Sequence, residues 1–240
     1  MRKLLYKILG LKKYLRLISF IYIRLIKCGY AKKKYEELYF LRKIIKEGFT
    51  CIDIGANLGY YSYFLTKYAG NGGKIYAVEP IPLYGEILQK NVKADNFRLF
   101  PYALGAENKS VEMGLPNING RLHHGMTKII SEKNDNNNYE KKFQVEMKIP
   151  DELFDEIEKI DFIKIDIEGY ESIAFENMKT ILRKHKPLIQ SELSGIENKR
   201  KAIEILSELG YKTKILKGNK LIDIATQHIS DYNNDFYFVI

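Results

Sequence analysis

The chain has 240 residues, 39 Lys+Arg against 30 Asp+Glu, and a formal net charge of +9. Hydrophobic residues are 45% and charged residues 29%, which suits one globular domain with or without an appendage and argues against overall disorder. Residues 1–34 hold 11 bases and no acid, which leaves 28 bases and 30 acids in the rest, so a fold with a basic face throughout is not supported.

Residues 3–27 carry a helical repeat. Leu4, Ile8, Leu11, Leu15, Ile18, Tyr22 and Ile26 fall on one face, and Arg2, Lys13, Arg16, Arg24 and Lys27 fall roughly opposite. This predicts a basic amphipathic helix, or two meeting near Gly10, with Leu17 and Ile21 interrupting the polar face. The uncharged stretch 17–23 is too short to span a membrane, and no small-residue cleavage site follows it. An intracellular, cytoplasmic protein is expected. Residues 1–34 read as an arm and 35–240 as the main domain. Three placements of the arm are open: on an anionic membrane surface, packed on the domain where it would help cover a pocket, or against nucleic acid. A second helix runs from Tyr35 to Lys46 and ends at Gly48.

From residue 49 short apolar runs alternate with helical stretches. Strands are expected at Thr50–Ile54, Lys74–Glu79, Phe97–Pro101, Phe162–Asp166, Leu188–Glu192, Lys212–Leu216 and Phe236–Ile240. Helices are expected at Leu58–Tyr68, Pro82–Ala94, Glu171–Lys184 and Asn198–Leu209. The alternation predicts an α/β fold, a mostly parallel sheet with helices on both faces. Two β-like runs, Ser110–Leu115 and Phe143–Ile149, interrupt it, and the polar stretch Ser131–Lys142 between them reads as a loop. Two cysteines cannot build a disulfide framework or a four-cysteine zinc site. Cys51 is expected to pack in a strand, and Cys28 has no evident partner.

The most informative segment is Cys51-Ile-Asp-Ile-Gly-Ala-Asn-Leu-Gly-Tyr-Tyr-Ser62, an apolar strand, a glycine turn and a helix. Ligands of such sheets sit beyond the carboxyl ends of the strands, where glycine lets the backbone approach closely. The next strand ends at Glu79, an acid suited to a ribose diol. The turn is not G-x-G-x-x-G, so the pyrophosphate platform of a nicotinamide site is missing. Asp53 would repel a pyrophosphate and attract a cationic amine. Ribose plus ammonium without phosphate describes S-adenosylmethionine.

Asp53-Ile-Gly-Ala-Asn-Leu-Gly-Tyr-Tyr-Ser62, Val78-Glu-Pro-Ile-Pro82, Asn91, Ala103-Leu-Gly105 and Ile163-Lys-Ile-Asp-Ile-Glu-Gly-Tyr-Glu171 together resemble the FkbM family of S-adenosylmethionine-dependent methyltransferases over roughly residues 35–240. The resemblance implies a class I methyltransferase, Rossmann-like fold with a seven-stranded sheet whose last strand is antiparallel. It implies O-methylation of a sugar, glycan or natural-product hydroxyl. It places Asp53, Gly55, Asn57, Gly59 and the neighbouring Tyr61 at the cofactor, with Glu79 at the ribose. Residues 149–153 depart from the family pattern and receive no role.

A positioned base helps an acceptor hydroxyl attack a methyl group. Asp166, Glu168 and Glu192 stand at the expected catalytic edge of the sheet and are the candidates. Glu171 reads instead as an acid favouring a helix start. Paired carboxylates suit a divalent cation as well, but no metal is assigned. His123 and His124 read as surface residues. The alternatives are an RNA methyltransferase using the arm, a nicotinamide-dependent oxidoreductase and a non-catalytic peripheral membrane protein. No Pro-Pro pair, a mark of base N-methylation, occurs.

Overall fold

A computed structural model describes residues 2–118, 121–122, 127–130, 139–224, 229 and 231–240. The chain begins with α1 (Arg2–Lys27), α2 (Glu36–Ile44), β1 (Thr50–Ile54), α3 (Tyr60–Ala69), β2 (Lys74–Val78), α4 (Pro82–Asn91), β3 (Phe97–Phe100) and β4 (Ala103–Leu104). It continues with β5 (Lys109–Ile118), β6 (Arg121–Leu122), β7 (Lys128–Ile129), β8 (Tyr139–Lys148), α5 (Pro150–Leu153) and β9 (Phe162–Ile165). It ends with α6 (Glu171–Glu176), α7 (Lys179–His185), β10 (Leu188–Ser191), α8 (Ile196–Glu208), β11 (Lys212–Lys217), β12 (Lys220–Asp223) and β13 (Phe236–Val239).

The main sheet runs β12-β11-β13-β10-β9-β1-β2-β3. Strands β3, β2, β1, β9 and β10 pair in parallel, and β13 is antiparallel to both β10 and β11. This is the seven-stranded class I core that the resemblance implies, extended by the edge strand β12. Helices cover both faces, so β1 and β9 are buried at every position rather than alternately. Ile52 and Ile54 pack toward Phe175, Ile181 and Leu206, while Cys51 packs toward Leu41, Phe64 and Leu65. A second, five-stranded sheet is built from β4 to β8. Its Met113, Leu115, Val145 and Met147 close a separate core with Leu11 and Leu15 of α1 and Tyr84 and Ile87 of α4.

Two expectations are corrected. The polar stretch 131–142 is not all loop: Tyr139–Lys142 belongs to β8 and pairs with residues 114–116 of β5. Lys141 and Lys142 are exposed there, and Lys142 bonds Glu112 of the paired strand. The predicted helix Glu171–Lys184 is two helices, α6 and α7, parted at Asn177 and Met178. Asp151, in the stretch that was given no role, accepts hydrogen bonds from the backbone N–H groups of Thr180 and Ile181. That cap starts α7 from a distant part of the chain.

Helix α1 is broken at Gly10, which has φ 69° and ψ 166°. Its inner face buries Leu11, Leu15, Ser19, Ile23 and Ile26. The Asn91 side chain donates to Ser19 Oγ and to the carbonyl of Leu58, and Lys12 pairs with Glu86 at 2.7 Å. Among the described residues, no helix is long and apolar enough to cross a membrane.

Candidate active site

The site begins where β1 ends. Gly55 has φ 78°, and a β-carbon there would stand 1.9 Å from the carbonyl oxygen of Asp166. The N–H groups of Gly55 and Ala56 both donate to the carbonyl of Val78, which holds the turn against β2. Gly59 occupies the N-cap of α3 with φ 88°, and its β-carbon would meet Leu88 Cδ1 at 2.4 Å. Neighbouring backbone thus demands glycine at position 55, whereas Gly59 meets only the end of a leucine side chain and is favoured by its positive φ.

Glu79 follows β2 and is buried. Its Oε2 accepts from the Asn57 N–H and its Oε1 from the Ile81 N–H, both at 2.8 Å. Burial pushes its pKa up to about 7, against the pull of those two N–H groups. A carboxylate has about four acceptor positions, so two remain for a ligand. Asp53 is buried and accepts from the Ser62 hydroxyl. Burial raises its pKa to about 6, with Ser62 and Lys164 opposing.

Lys164 is fully buried in the middle of β9. Its Nζ lies 3.6 Å from Asp235, 3.9 Å from Asp166 and 5.0 Å from the centre of the Tyr61 ring. Burial alone would lower its pKa. The carboxylates of Asp235, Asp166, Glu192 and Asp53 outweigh burial and hold the ammonium charged. Asp235 also accepts from Gln190 Nε2 at 2.6 Å and from the Tyr61 hydroxyl at 3.5 Å.

Beyond β9 the chain turns through Asp166, Ile167, Glu168 and Gly169. Glu168 has φ 54°, an unfavourable conformation for a non-glycine residue. Glu171 holds the turn in place. Its buried carboxylate accepts from the N–H groups of Ile167 and Gly169 and from Asn198 Nδ2. Burial, reinforced by Asp166 and Glu192, pushes Glu168 up to about 7. Burial and Asp166 do the same to Glu192, just past β10.

These groups line one cavity of about 540 Å³, within the range of small-molecule sites. Of the residues singled out in the sequence, Asp53, Gly55, Asn57, Tyr61, Glu79, Asp166, Glu168 and Glu192 all line it. Gly59 is not in its wall, because it packs on α4. His123 and His124 lie outside the described residues. Sequence reasoning missed Lys164, Asp235 and Tyr84; of the three placements left open for the arm, the one on the domain over the pocket is seen, with Tyr14, Leu15, Ile18 and Tyr22 of α1 roofing the cavity. The lysine inside Phe162-Ile-Lys-Ile165 was a readable signal, since both faces of that strand are covered.

The wall fits S-adenosylmethionine better than a dinucleotide. It carries seven carboxylates, Glu37, Asp53, Glu79, Asp166, Glu168, Glu192 and Asp235, against two amines, Lys34 and Lys164. That balance favours a cationic ligand and repels a pyrophosphate. Glu79 supplies acceptors for a ribose diol, and the turn at Gly55 has no room for a side chain.

The family model for the FkbM methyltransferase domain matches residues 53–213. Among solved structures, an FkbM methyltransferase from Methylobacillus flagellatus is 14% identical with a TM-score of 0.49, over 84% of this chain and 50% of that one. A TehB-like S-adenosylmethionine-dependent methyltransferase from Corynebacterium glutamicum is 11% identical with a TM-score of 0.47, over 94% and 96%. Aeropyrum pernix fibrillarin bound to S-adenosyl-L-methionine is 15% identical with a TM-score of 0.47, over 82% and 68%.

Proposed function

The chain belongs to the FkbM methyltransferase family and is an S-adenosylmethionine-dependent methyltransferase; we propose that it transfers the methyl group to a hydroxyl of a sugar, glycan or natural-product acceptor. The observation that carries this reading is the convergence of Asp166, Glu168 and Glu192 on a cavity whose wall also holds Tyr14, Tyr22, Tyr60, Tyr61 and Tyr84. Carboxylates accept from hydroxyls, and aromatic rings offer flat apolar surfaces with a polar tip. Together they suit a polyhydroxylated acceptor.

S-adenosylmethionine brings an electrophilic methyl group on a sulfonium, and the protein's part is to bind, orient and exclude water. In this reading Glu79 holds the ribose hydroxyls and Gly55, Asn57 and Tyr61 border the donor. Asp53 attracts its ammonium group. Glu168 or Glu192 takes the proton from the acceptor hydroxyl. A carboxylate with a pKa near 7 is a stronger base than an ordinary one and is still substantially ionised at neutral pH. Lys164 lies between Asp166 and Asp235 and holds both in place by its charge. Residues 35–240 form the catalytic unit, and the arm, 1–34, roofs it.

An RNA acceptor is disfavoured by the acidic wall, which repels phosphates. Calorimetric titration with S-adenosylmethionine, S-adenosylhomocysteine and NAD tests the cofactor side, and tighter NAD binding would overturn it. Incubating candidate acceptors with methyl-labelled S-adenosylmethionine tests the acceptor side. Label found on nitrogen or carbon rather than oxygen would overturn O-methyl transfer.

A further inference from the structure

The inner face of α1 is spent on the domain, and its outer face has a composition of its own. From residue 12 onward the exposed positions come in pairs, Lys12 and Lys13, Arg16 and Leu17, Phe20 and Ile21, Arg24 and Leu25, followed by Lys27. Every one is basic or large and apolar. Phe20 is 49% exposed and Ile21 43%, and before Gly10 the side chain of Ile8 is 70% exposed. Arg24 lies over the Phe20 ring at 4.5 Å. Leu17 and Ile21, which interrupt the polar face in the sequence, therefore point away from the protein together with Phe20 and Leu25.

A solvated helix face does not need four large apolar side chains in register, and a protein interface does not need a run of bases without one acid. Residues 1–34 contain no Asp or Glu, and among their described residues only Lys12 has an ion pair with a carboxylate. An anionic bilayer uses both properties at once. Apolar tips enter the headgroup boundary while lysine and arginine stems run alongside and place their charges at the phosphates. We propose that the outer face of α1 docks on an anionic lipid surface, carried by Leu17, Phe20, Ile21 and Leu25 between Lys13, Arg16, Arg24 and Lys27. Because the opposite face of the same helix roofs the cavity, docking sets the site one helix thickness from the bilayer.

Co-sedimentation of the full chain with phosphatidylcholine vesicles, with and without phosphatidylglycerol, tests this independently of the methyltransferase reading. Binding is expected only with the anionic lipid and is expected to weaken as salt is added. Lys13→Gln with Arg16→Gln should weaken it about fivefold for each charge removed. Phe20→Gln with Ile21→Gln should abolish most of it while leaving S-adenosylmethionine affinity unchanged. The proposal is overturned if the wild-type chain stays in solution, if neutral vesicles bind it equally well, or if both double variants bind like wild type. It is also overturned if light scattering finds a dimer that the Phe20 and Ile21 changes dissolve, which would assign the face to a second copy. If a double variant misfolds, the wild-type comparison of lipids and salt decides alone.

Discussion

The backbone carbonyl of Asp166 stands 1.9 Å from where a side chain on Gly55 would begin. The strand that leads into the cofactor turn and the strand that leads into the carboxylate turn therefore touch through backbone, with nothing between them. Gly55→Ala forces them apart. Its positive φ adds about 1–2 kcal/mol of strain and the overlap about 1–3 kcal/mol more. Denaturant unfolding should register a loss of that combined size, and calorimetry should find cofactor binding lost as well. Gly59→Ala is the contrast. Its overlap is with the far end of the Leu88 side chain, outside the cavity, so stability falls less and cofactor affinity stays near wild type.

Glu79→Ala removes the acceptor for two backbone N–H groups, those of Asn57 and Ile81. Hydrogen bonds to a charged group contribute about 1.5–3 kcal/mol each. Affinity for S-adenosylmethionine and for S-adenosylhomocysteine should drop together by at least about tenfold, since both carry the ribose. Loss for the sulfonium form alone, read by titration calorimetry, would remove Glu79 from the ribose.

The base should reveal itself in the pH dependence of turnover. With Glu168 and Glu192 both held near 7, kcat of the wild type should climb as pH rises through about 7. Glu168→Gln or Glu192→Gln, whichever removes the base, should flatten that limb and lower kcat by about 10²–10⁴ while cofactor affinity is retained. If both variants keep the wild-type profile, neither carboxylate is the base.

Stability should run the other way with pH. Asp53 and Glu79 titrate near 6 and 7 in the folded chain against ordinary values of 3.8 and 4.5. Between those limits the folded state holds protons that the unfolded state has released, so stability is greatest below about pH 4.5 for this contribution and falls as pH rises through 7. Glu86, lowered to about 2 by Lys12 and Lys90, has finished titrating below this window. Unfolding of the cofactor-free protein at pH 5.5 and pH 8 should give the lower stability at pH 8. Equal or higher stability there would contradict the burial of these carboxylates.

What could be read from the sequence followed from local pattern. Thr50–Ile54 is buried at all five positions, so it appears as a mainly apolar run, broken by Asp53 and closed by glycine. Glu79, Asp166 and Glu192 are expected as the last residues of their strands, and they sit one residue past the ends of β2, β9 and β10. What escaped depended on distant partners. Lys164 is matched by Asp235, and the break before α7 is capped by Asp151. In Tyr139–Lys142 the consecutive residues Lys141 and Lys142 are both exposed, so the segment has no period-two pattern, and polarity alone reads as loop. Roofing by α1 is one of three placements the sequence leaves open, and the choice among them needed the position of α4, to which Asn91 and Glu86 tie it.

Strand β13 follows every other strand in the chain, yet it stands between β10 and β11 with Phe236, Tyr237 and Phe238 fully buried. During synthesis β10 and β11 have emerged before the strand that joins them exists. Lys164 likewise waits about seventy residues for the carboxylate of Asp235. Until β13 is in place the sheet has a gap between β10 and β11, and Lys164 lacks the nearest of its carboxylates. One short segment, residues 235–239, therefore completes both the sheet and the wall of the cavity.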